Sequence, residues 1–276
     1  MNNMGDMRPV GIFDSGVGGL SVLRAIRQHL PRESVLYFGD QLHVPYGLRP
    51  LKEVQKFSEA ITRFLLNMGA KLIVVACNTA SAAALHFLRR AFPDVSFVGM
   101  EPAVKPAAEN TRTGVVGVLA TPATFQGALY ASVVERFAGN VTLIQNTCPG
   151  LVQQIERGRL DSNKTRVILE AALTPMLKRG IDTIVLGCTH YPFVIPLIEE
   201  IVGPEVRVID PAPAIARQVT RLLDSTERRA LIPGTDALHF FTSGKATQFK
   251  SMLAILLIEA GDVQEISWED SEIHIA

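Results

Sequence analysis

Cysteine is scarce, three in 276 residues, and no Cys-x-x-Cys pair occurs. That argues against both a disulfide scaffold and a structural zinc module, which draws on four closely spaced ligands. Charge of either sign is not in excess, since Lys plus Arg and Asp plus Glu are both 27 and the formal net charge is zero. The balance removes the basic footprint expected of a nucleic-acid binder or of a protein drawn to an anionic membrane. No apolar run approaches the roughly 20 residues of a membrane span. The start shows no charged segment followed by an apolar core and a cleavage site, so the expectation is a cytoplasmic protein with reduced thiols and a frayed, polar Met1 to Arg8. A nucleotide fingerprint is missing as well. Gly16-Val-Gly18-Gly19 brings its third glycine too early for G-x-G-x-x-G, the neighbouring Asp14 would repel a pyrophosphate, and no Walker lysine follows.

What is present is an alternation of short apolar runs and amphipathic segments, the pattern of an α/β chain. Val10 to Phe13 reads as a strand, Asp14 to Gly19 as a tight turn into a helix ending near Leu30, and Val35 to Phe38 as a second strand. A loop through Pro45-Tyr46-Gly47 leads to Pro50. Beyond it Val54, Phe57, Ile61, Phe64 and Met68 make one helical stripe that Gly69 ends. A strand running into Cys77, an alanine-rich helix and a strand at Val95 to Val98 complete the unit. The pattern pauses over Met100 to Asn110. It then restarts with Gly114 to Leu119, the turn Thr121 to Thr124, a strand at Val141 to Ile144, a loop at Asn146 to Gly150, a helix over about 163–179 and a strand running into Cys188. The order of elements recurs at a similar offset. The expectation is two similar doubly wound α/β domains: residues 1–100 plus about 211–276 as the first, about 101–210 as the second. The tail, with Val206 to Ile209, Ala212 to Leu223, Leu238 to Phe241 and a helix from about Ser243 to Ala260, is expected to return to the first domain.

Cys77 and Cys188 each follow an apolar run and precede small polar residues, Asn78-Thr79 and Thr189-His190. Residues just past parallel strands lie where open α/β sheets bind ligands. Each thiol also precedes an expected helix start, where free N–H groups and the helix dipole favour a thiolate. Two thiols flanking a cleft can take a proton from one face of a carbon and return one to the other. Cys148, without a twin, reads as a small buried hydrophobe. Asp14 is either a helix cap or a carboxylate at the same sheet edge as Cys77, able to accept its proton or hold a substrate ammonium. Glu156 and His190 are the candidate titrating partners on the Cys188 side. Tyr46 and Gly47 form either a plain turn with an exposed phenol or a ligand contact. A lone histidine two residues from a cysteine does not amount to a metal site, and none is expected.

Taken together, Gly11-Ile-Phe-Asp-Ser-Gly-Val-Gly-Gly-Leu20, Pro45-Tyr-Gly47, Ala76-Cys-Asn-Thr-Ala80 and Leu186-Gly-Cys-Thr-His-Tyr-Pro192 resemble the glutamate racemases of the aspartate/glutamate racemase superfamily, over about residues 9–224. The resemblance implies two α/β domains with the active site in the cleft between them, and a reaction that uses no cofactor: no pyridoxal phosphate, metal or nucleotide. It implies that Cys77 and Cys188 are the two acid/bases, Cys77 serving the D isomer and Cys188 the L isomer. Asp14, Ser15, Tyr46, Gly47, Asn78, Thr79, Thr189 and His190 would contact glutamate, with Thr121 and Thr124 as carboxylate ligands and Glu156 as an acidic partner. The product would be D-glutamate for peptidoglycan synthesis, and a homodimer is one assembly the resemblance allows. Two alternatives stay open. One is a sister enzyme acting on aspartate or on another acidic or hydantoin substrate. The other is a non-catalytic module that holds an amino acid or binds a partner such as DNA gyrase, for which the neutral composition offers no acidic face.

Overall fold

The computed structural model describes residues 5–234, 238–257, 261–269 and 272–275. Its first unit runs β1 (Val10–Asp14), α1 (Leu20–His29), β2 (Val35–Gly39), α2 (Leu51–Asn67), β3 (Leu72–Val75), α3 (Asn78–Ala91) and β4 (Ser96–Gly99). Strands β1, β2 and β3 are buried at every residue, as continuous Val/Ile/Leu runs are when helices cover both faces of a parallel sheet. The stripe on α2 buries Val54, Ile61, Phe64 and Leu65, and Gly69 ends the helix in the left-handed conformation, φ +86°, which costs glycine nothing.

The second unit runs α4 (Val104–Asn110), β5 (Val115–Ala120), α5 (Pro122–Gln126), α6 (Ala128–Phe137), β6 (Thr142–Asn146), α7 (Leu151–Glu156), α8 (Asn163–Leu177), β7 (Thr183–Gly187), α9 (Ile195–Val202) and β8 (Arg207–Ile209). The remainder is α10 (Ala212–Ser225), β9 (Leu238–Thr242), α11 (Ala246–Leu256), β10 (Asp262–Glu269) and β11 (Glu272–Ile275). One sheet has the order β11-β10-β9-β2-β1-β3-β4 and the other β6-β5-β7-β8. Every neighbouring pair is parallel except β10 with β11.

The stretch β2-β1-β3-β4 therefore repeats as β6-β5-β7-β8, one winding used twice. In this order the chain reverses direction across the sheet between β1 and β3, and again between β5 and β7. Such switch points open a crevice at the carboxyl ends of the strands, where α/β sheets take their ligands. The two crevices face one another. One continuous apolar cluster reaches from Val17, Leu20 and Leu23 around α1 to Leu151 and Ile155 on α7 and to Tyr191 and Phe193 beyond β7, so the two sheets are held together by core packing.

The pause expected over Met100 to Asn110 is instead α4. Pro106 falls in its first turn, where the missing N–H breaks no helical bond, while Val104 and Ala107 are buried. Of the expected tail, Val206 to Ile209 stays with the second sheet, where β8 pairs with β7; the rest joins the first sheet through β9 on β2, and its helix spans Ala246–Leu256. The expected continuation to Ala260 falls outside the described residues, as do Met1 to Met4 of the expected polar start. The terminal strands β10 and β11 were not expected from the sequence, because residues 262–275 alternate polar and apolar side chains weakly and carry no turn signal that stands out. Among the described residues no helix is long and apolar enough to cross a membrane.

Far from the facing crevices, Lys71 and Glu33 form a buried ion pair, Nζ to Oε2 2.7 Å, with side chains 0 % and 1 % exposed. Lys71 also donates to the carbonyls of Asp6 at 2.6 Å and Arg228 at 2.7 Å, and Glu33 accepts from the Ala230 amide at 2.8 Å. The pair pins the segment before β1 and the segment after α10 to the start of β3. Removing one partner leaves the other charge buried and unpaired, which typically costs about 3–5 kcal/mol. Lys71→Met should lower the unfolding free energy by that amount in urea titration, and a loss below about 1 kcal/mol would show the pair to be dispensable.

Candidate active site

Asp14 ends β1 and Ser15 follows it, Cys77 to Thr79 follow β3, Thr121 follows β5, and Cys188 to His190 follow β7. The topology alone thus delivers all of them to the facing crevices. A cavity of about 20 Å3 lies between, lined by Ser15, Tyr46, Gly47, Cys77, Asn78 and Thr79 from the first unit and by Thr121, Cys188, Thr189 and His190 from the second. That is far below the ~300–1,000 Å3 usual for small-molecule pockets, so the two units stand closed on one another. Pro45 and Val152 also line it; neither was singled out in the sequence, since an apolar residue in a loop or on a short helix carries no chemical signature.

Cys77 is itself the N-cap of α3, its Sγ accepting from the Ala80 amide at 3.5 Å. Its thiol points to the Ser15 hydroxyl at 3.9 Å. The helix start was expected to favour a thiolate, but burial dominates and pushes the Cys77 thiol well above its usual range. The Asp14 charge adds to that, and the Ala80 amide offsets only part. In the closed site a thiolate at Cys77 is therefore a strong base, formed only when the surroundings supply compensating charge. Cys148 is buried, and its thiol is pushed up to about 12 by burial and by the neighbouring Cys188.

On the other side three groups line up. Cys188 Sγ lies 3.8 Å from His190 Nδ1, and His190 Nε2 lies 2.6 Å from Glu156 Oε1. That oxygen also accepts from the Val17 amide at 2.9 Å, and Gln41 Nε2 donates to the second carboxylate oxygen at 3.3 Å. Burial disfavours the imidazolium of His190, yet the hydrogen bonds and charges of Cys188 and Glu156 outweigh it, and its pKa is raised well above the usual histidine value. The His190 side chain makes no capping bond to the 3-10 turn that follows it; its imidazole is held between a thiol and a carboxylate, which favours its protonated form. The glycine turn makes room for this row. A Cβ on Gly16 would collide with the Glu156 carboxylate, and one on Gly18 with the His190 ring.

Asp14 caps no helix either, since α1 starts at Leu20 with no side-chain cap. Its Oδ1 accepts from the Gly16 amide at 2.9 Å and its Oδ2 from the Thr189 hydroxyl at 3.0 Å, tying the two units together behind the cavity. Burial raises its pKa, opposed by the charge of His190 and the Gly16 amide. Thr79, Thr121 and Thr124 form a chain of hydroxyls across the crevice, 2.8 Å and 2.9 Å apart. Thr121 lines the cavity and Thr124, buried, stands behind it. Asn78 is buried with both amide atoms unpartnered, although it lines the cavity, so a donor and an acceptor are held ready for a ligand. Tyr46 is 1 % exposed, which overturns the exposed phenol; its hydroxyl donates to Asp40 at 2.6 Å. Asp40 and Gln41 were overlooked, although their place at the end of β2 matches that of Asp14 at the end of β1.

Residues 17–219 match the family of Asp/Glu/Hydantoin racemases. A glutamate racemase of Roseiflexus sp. (strain RS-1) is 47% identical over 262 residues, 94% of this chain and 95% of that protein. The crystal structure of a glutamate racemase isoform from Bacillus anthracis superposes with a TM-score of 0.85 at 33% identity, covering 94% of this chain and 97% of that one. The Escherichia coli glutamate racemase, in complex with L-glutamate and the activator UDP-MurNAc-Ala, gives 0.83 at 31% identity over 98% of this chain and 99% of its own. With its repeated winding and its two thiols facing across one cavity, the chain belongs to the Asp/Glu/Hydantoin racemase family and stands among its glutamate racemases.

Proposed function

We propose that the protein interconverts L-glutamate and D-glutamate by direct proton transfer between two thiols, supplying D-glutamate for peptidoglycan in the cytoplasm. The observation that carries the reading is that Cys77 and Cys188, from different sheets, both line one small cavity. The thiolate of one takes the α-proton and becomes a thiol, leaving the bond pair on the α-carbon. The thiol of the other gives its proton to the opposite face and becomes the thiolate. The form left behind is set for the reverse reaction, and exchange of protons between the two sulfurs and solvent restores the starting form.

A carbanion-like centre needs its carboxylate held by fixed donors in a site shut off from water. The Ser15 hydroxyl, the Thr79–Thr121 hydroxyl pair and the unpartnered Asn78 amide provide such donors, while the Thr189 hydroxyl gives its one proton to Asp14. Asp14 fixes Thr189, and Thr124 fixes Thr121. On the Cys188 side, the imidazolium of His190 stabilises the thiolate, and Glu156 keeps the imidazole protonated. The expected assignment is Cys188 to the L isomer and Cys77 to the D isomer. The zero net charge supports a small-molecule substrate and no nucleic-acid partner.

Incubation with L-glutamate in deuterated water, with a chelator and no added cofactor, tests the reading. The circular dichroism of the amino acid should decay to zero while deuterium enters the α-position of the product. Turnover of aspartate but not glutamate would move the reading to the sister activity, and turnover of neither would overturn it.

A further inference from the structure

Asp40, at the carboxyl end of β2, is fully buried and lies outside the cavity lining. Its carboxylate is met by four side-chain donors, about as many as its lone pairs can take. Two come from the loop that borders the cavity: the Tyr46 hydroxyl at 2.6 Å to Oδ2, and His43 Nδ1 shared between Oδ2 at 2.8 Å and Oδ1 at 3.0 Å. The other two come from the C-terminal tail: the Ser243 hydroxyl at 2.7 Å, just past β9, and Trp268 Nε1 at 3.2 Å, on β10, both to Oδ1. The carboxylate thus joins the cavity loop to the tail, with both tail bonds on Oδ1 and the Tyr46 bond on Oδ2.

We infer that Ser243 and Trp268 are positioning residues for the glutamate site, acting through Asp40 on Tyr46. A buried carboxylate keeps its place only where its donors are. Tyr46 opens the 3-10 turn Tyr46–Leu48, whose next residue, Gly47, packs so closely on Thr121 of the second unit that a Cβ there would lie 2.6 Å from the Thr121 Cβ. A shift of Tyr46 thus moves the cavity wall on which the two units meet. The tail grips the same loop twice more. Ser243 accepts from the Leu42 amide at 2.9 Å. The Trp268 ring stands edge-on to His43 at 5.1 Å and to Phe57 at 5.6 Å, and His43 stacks on Phe57 at 4.0 Å. Phe57 in turn lies 5.7 Å from the Tyr46 ring. Residues that look like late additions to the first sheet therefore set the position of a wall of the cavity.

The inference rests on the racemase reading, and one set of measurements separates the two. KM and kcat for glutamate would be compared in the full chain, Trp268→Phe, Ser243→Ala, Tyr46→Phe and the double variant Tyr46→Phe/Trp268→Phe, each checked for folding by thermal melting. Trp268→Phe keeps the aromatic packing and removes only the N–H. It should raise KM roughly threefold to tenfold with kcat within about twofold, a fraction of the roughly 10- to 150-fold that one hydrogen bond to a charged group is worth, because the loss reaches the site only through Tyr46. Ser243→Ala, a smaller change, should move KM in the same sense. In the Tyr46→Phe background, Trp268→Phe should add less than about 1.5-fold, because the link to the site is already cut. Trp268 is the only tryptophan, so its fluorescence should also respond to saturating glutamate in the full chain and fall silent in Tyr46→Phe. An unchanged KM in both folded tail variants, or the same factor with and without the Tyr46 hydroxyl, would overturn the inference while leaving the racemase reading intact. An unaltered chain that turns over no glutamate would instead overturn that reading.

Discussion

Serine in place of Cys77 or of Cys188 should reduce racemisation by about 10³-fold or more, within the ~10²–10⁴ attributed to a positioned acid or base and with the nucleophile's acidity lost besides. The loss must be the same in both directions. The two enantiomers have equal free energy in water, so the equilibrium constant is one, and any variant has to lose kcat/KM for L-glutamate and for D-glutamate alike. Directional roles are therefore invisible in racemisation rates and have to be read from proton exchange. With Cys77 replaced, the Cys188 thiolate can still remove the α-proton from the isomer that faces it and return a solvent-derived one to the same face. Deuterium should then enter one enantiomer slowly without inversion, and the Cys188→Ser variant should show the mirror-image preference. Glutamate binding should survive in both variants, since Asn78, Thr79, Thr121 and Thr189 remain in the cavity lining. A single-serine variant that racemises within tenfold of the unaltered chain would rule out two-thiol transfer.

Much of the fold was legible because buried parallel strands advertise themselves. The runs into Asp14, Cys77, Ala120 and Cys188 are nearly all apolar, and each is an inner strand, paired on both sides in its sheet. The residues directly after them, chosen in the sequence for their chemistry, are the ones the switch points bring to one cavity. What the sequence hid depends on partners distant along the chain. Glu156 follows a loop with no distinctive spacing, yet it reaches Val17, 139 positions away, and His190, 34 positions away. The height of the Cys77 pKa reflects burial first of all, which no local reading of a helix start can weigh. The helix α4 was missed because prolines read as breakers unless their position within the first turn is known, and β10 with β11 because an edge hairpin half open to solvent has little apolar periodicity to show.

Glu156→Gln should separate charge from geometry in the Cys188 row. The amide is nearly the same shape, and its carbonyl oxygen can still accept from His190 Nε2 and from the Val17 amide, so the row should stay assembled; the negative charge is lost, together with the long contact from Gln41 Nε2. In the intact protein that charge, together with Cys188, raises the His190 pKa against a burial that would lower it. Once it is removed, burial wins. The sign follows directly: a histidine whose pKa falls loses its proton at lower pH, so the alkaline limb of the kcat/KM profile should move to lower pH by at least about one unit, each unit being worth 1.36 kcal/mol of interaction. At pH 8 the rate should drop roughly tenfold to a hundredfold, and at pH 6, where His190 stays protonated for longer, considerably less. A uniform drop with no displacement of the limb would mean that Glu156 acts through packing alone, and an unchanged profile would remove it from the mechanism. Because Glu156 also accepts from Val17 of the first unit while His190 belongs to the second, the same carboxylate that keeps the imidazole charged also bridges the crevice. The charge on the Cys188 arm and the contact between the two units thus depend on one and the same carboxylate.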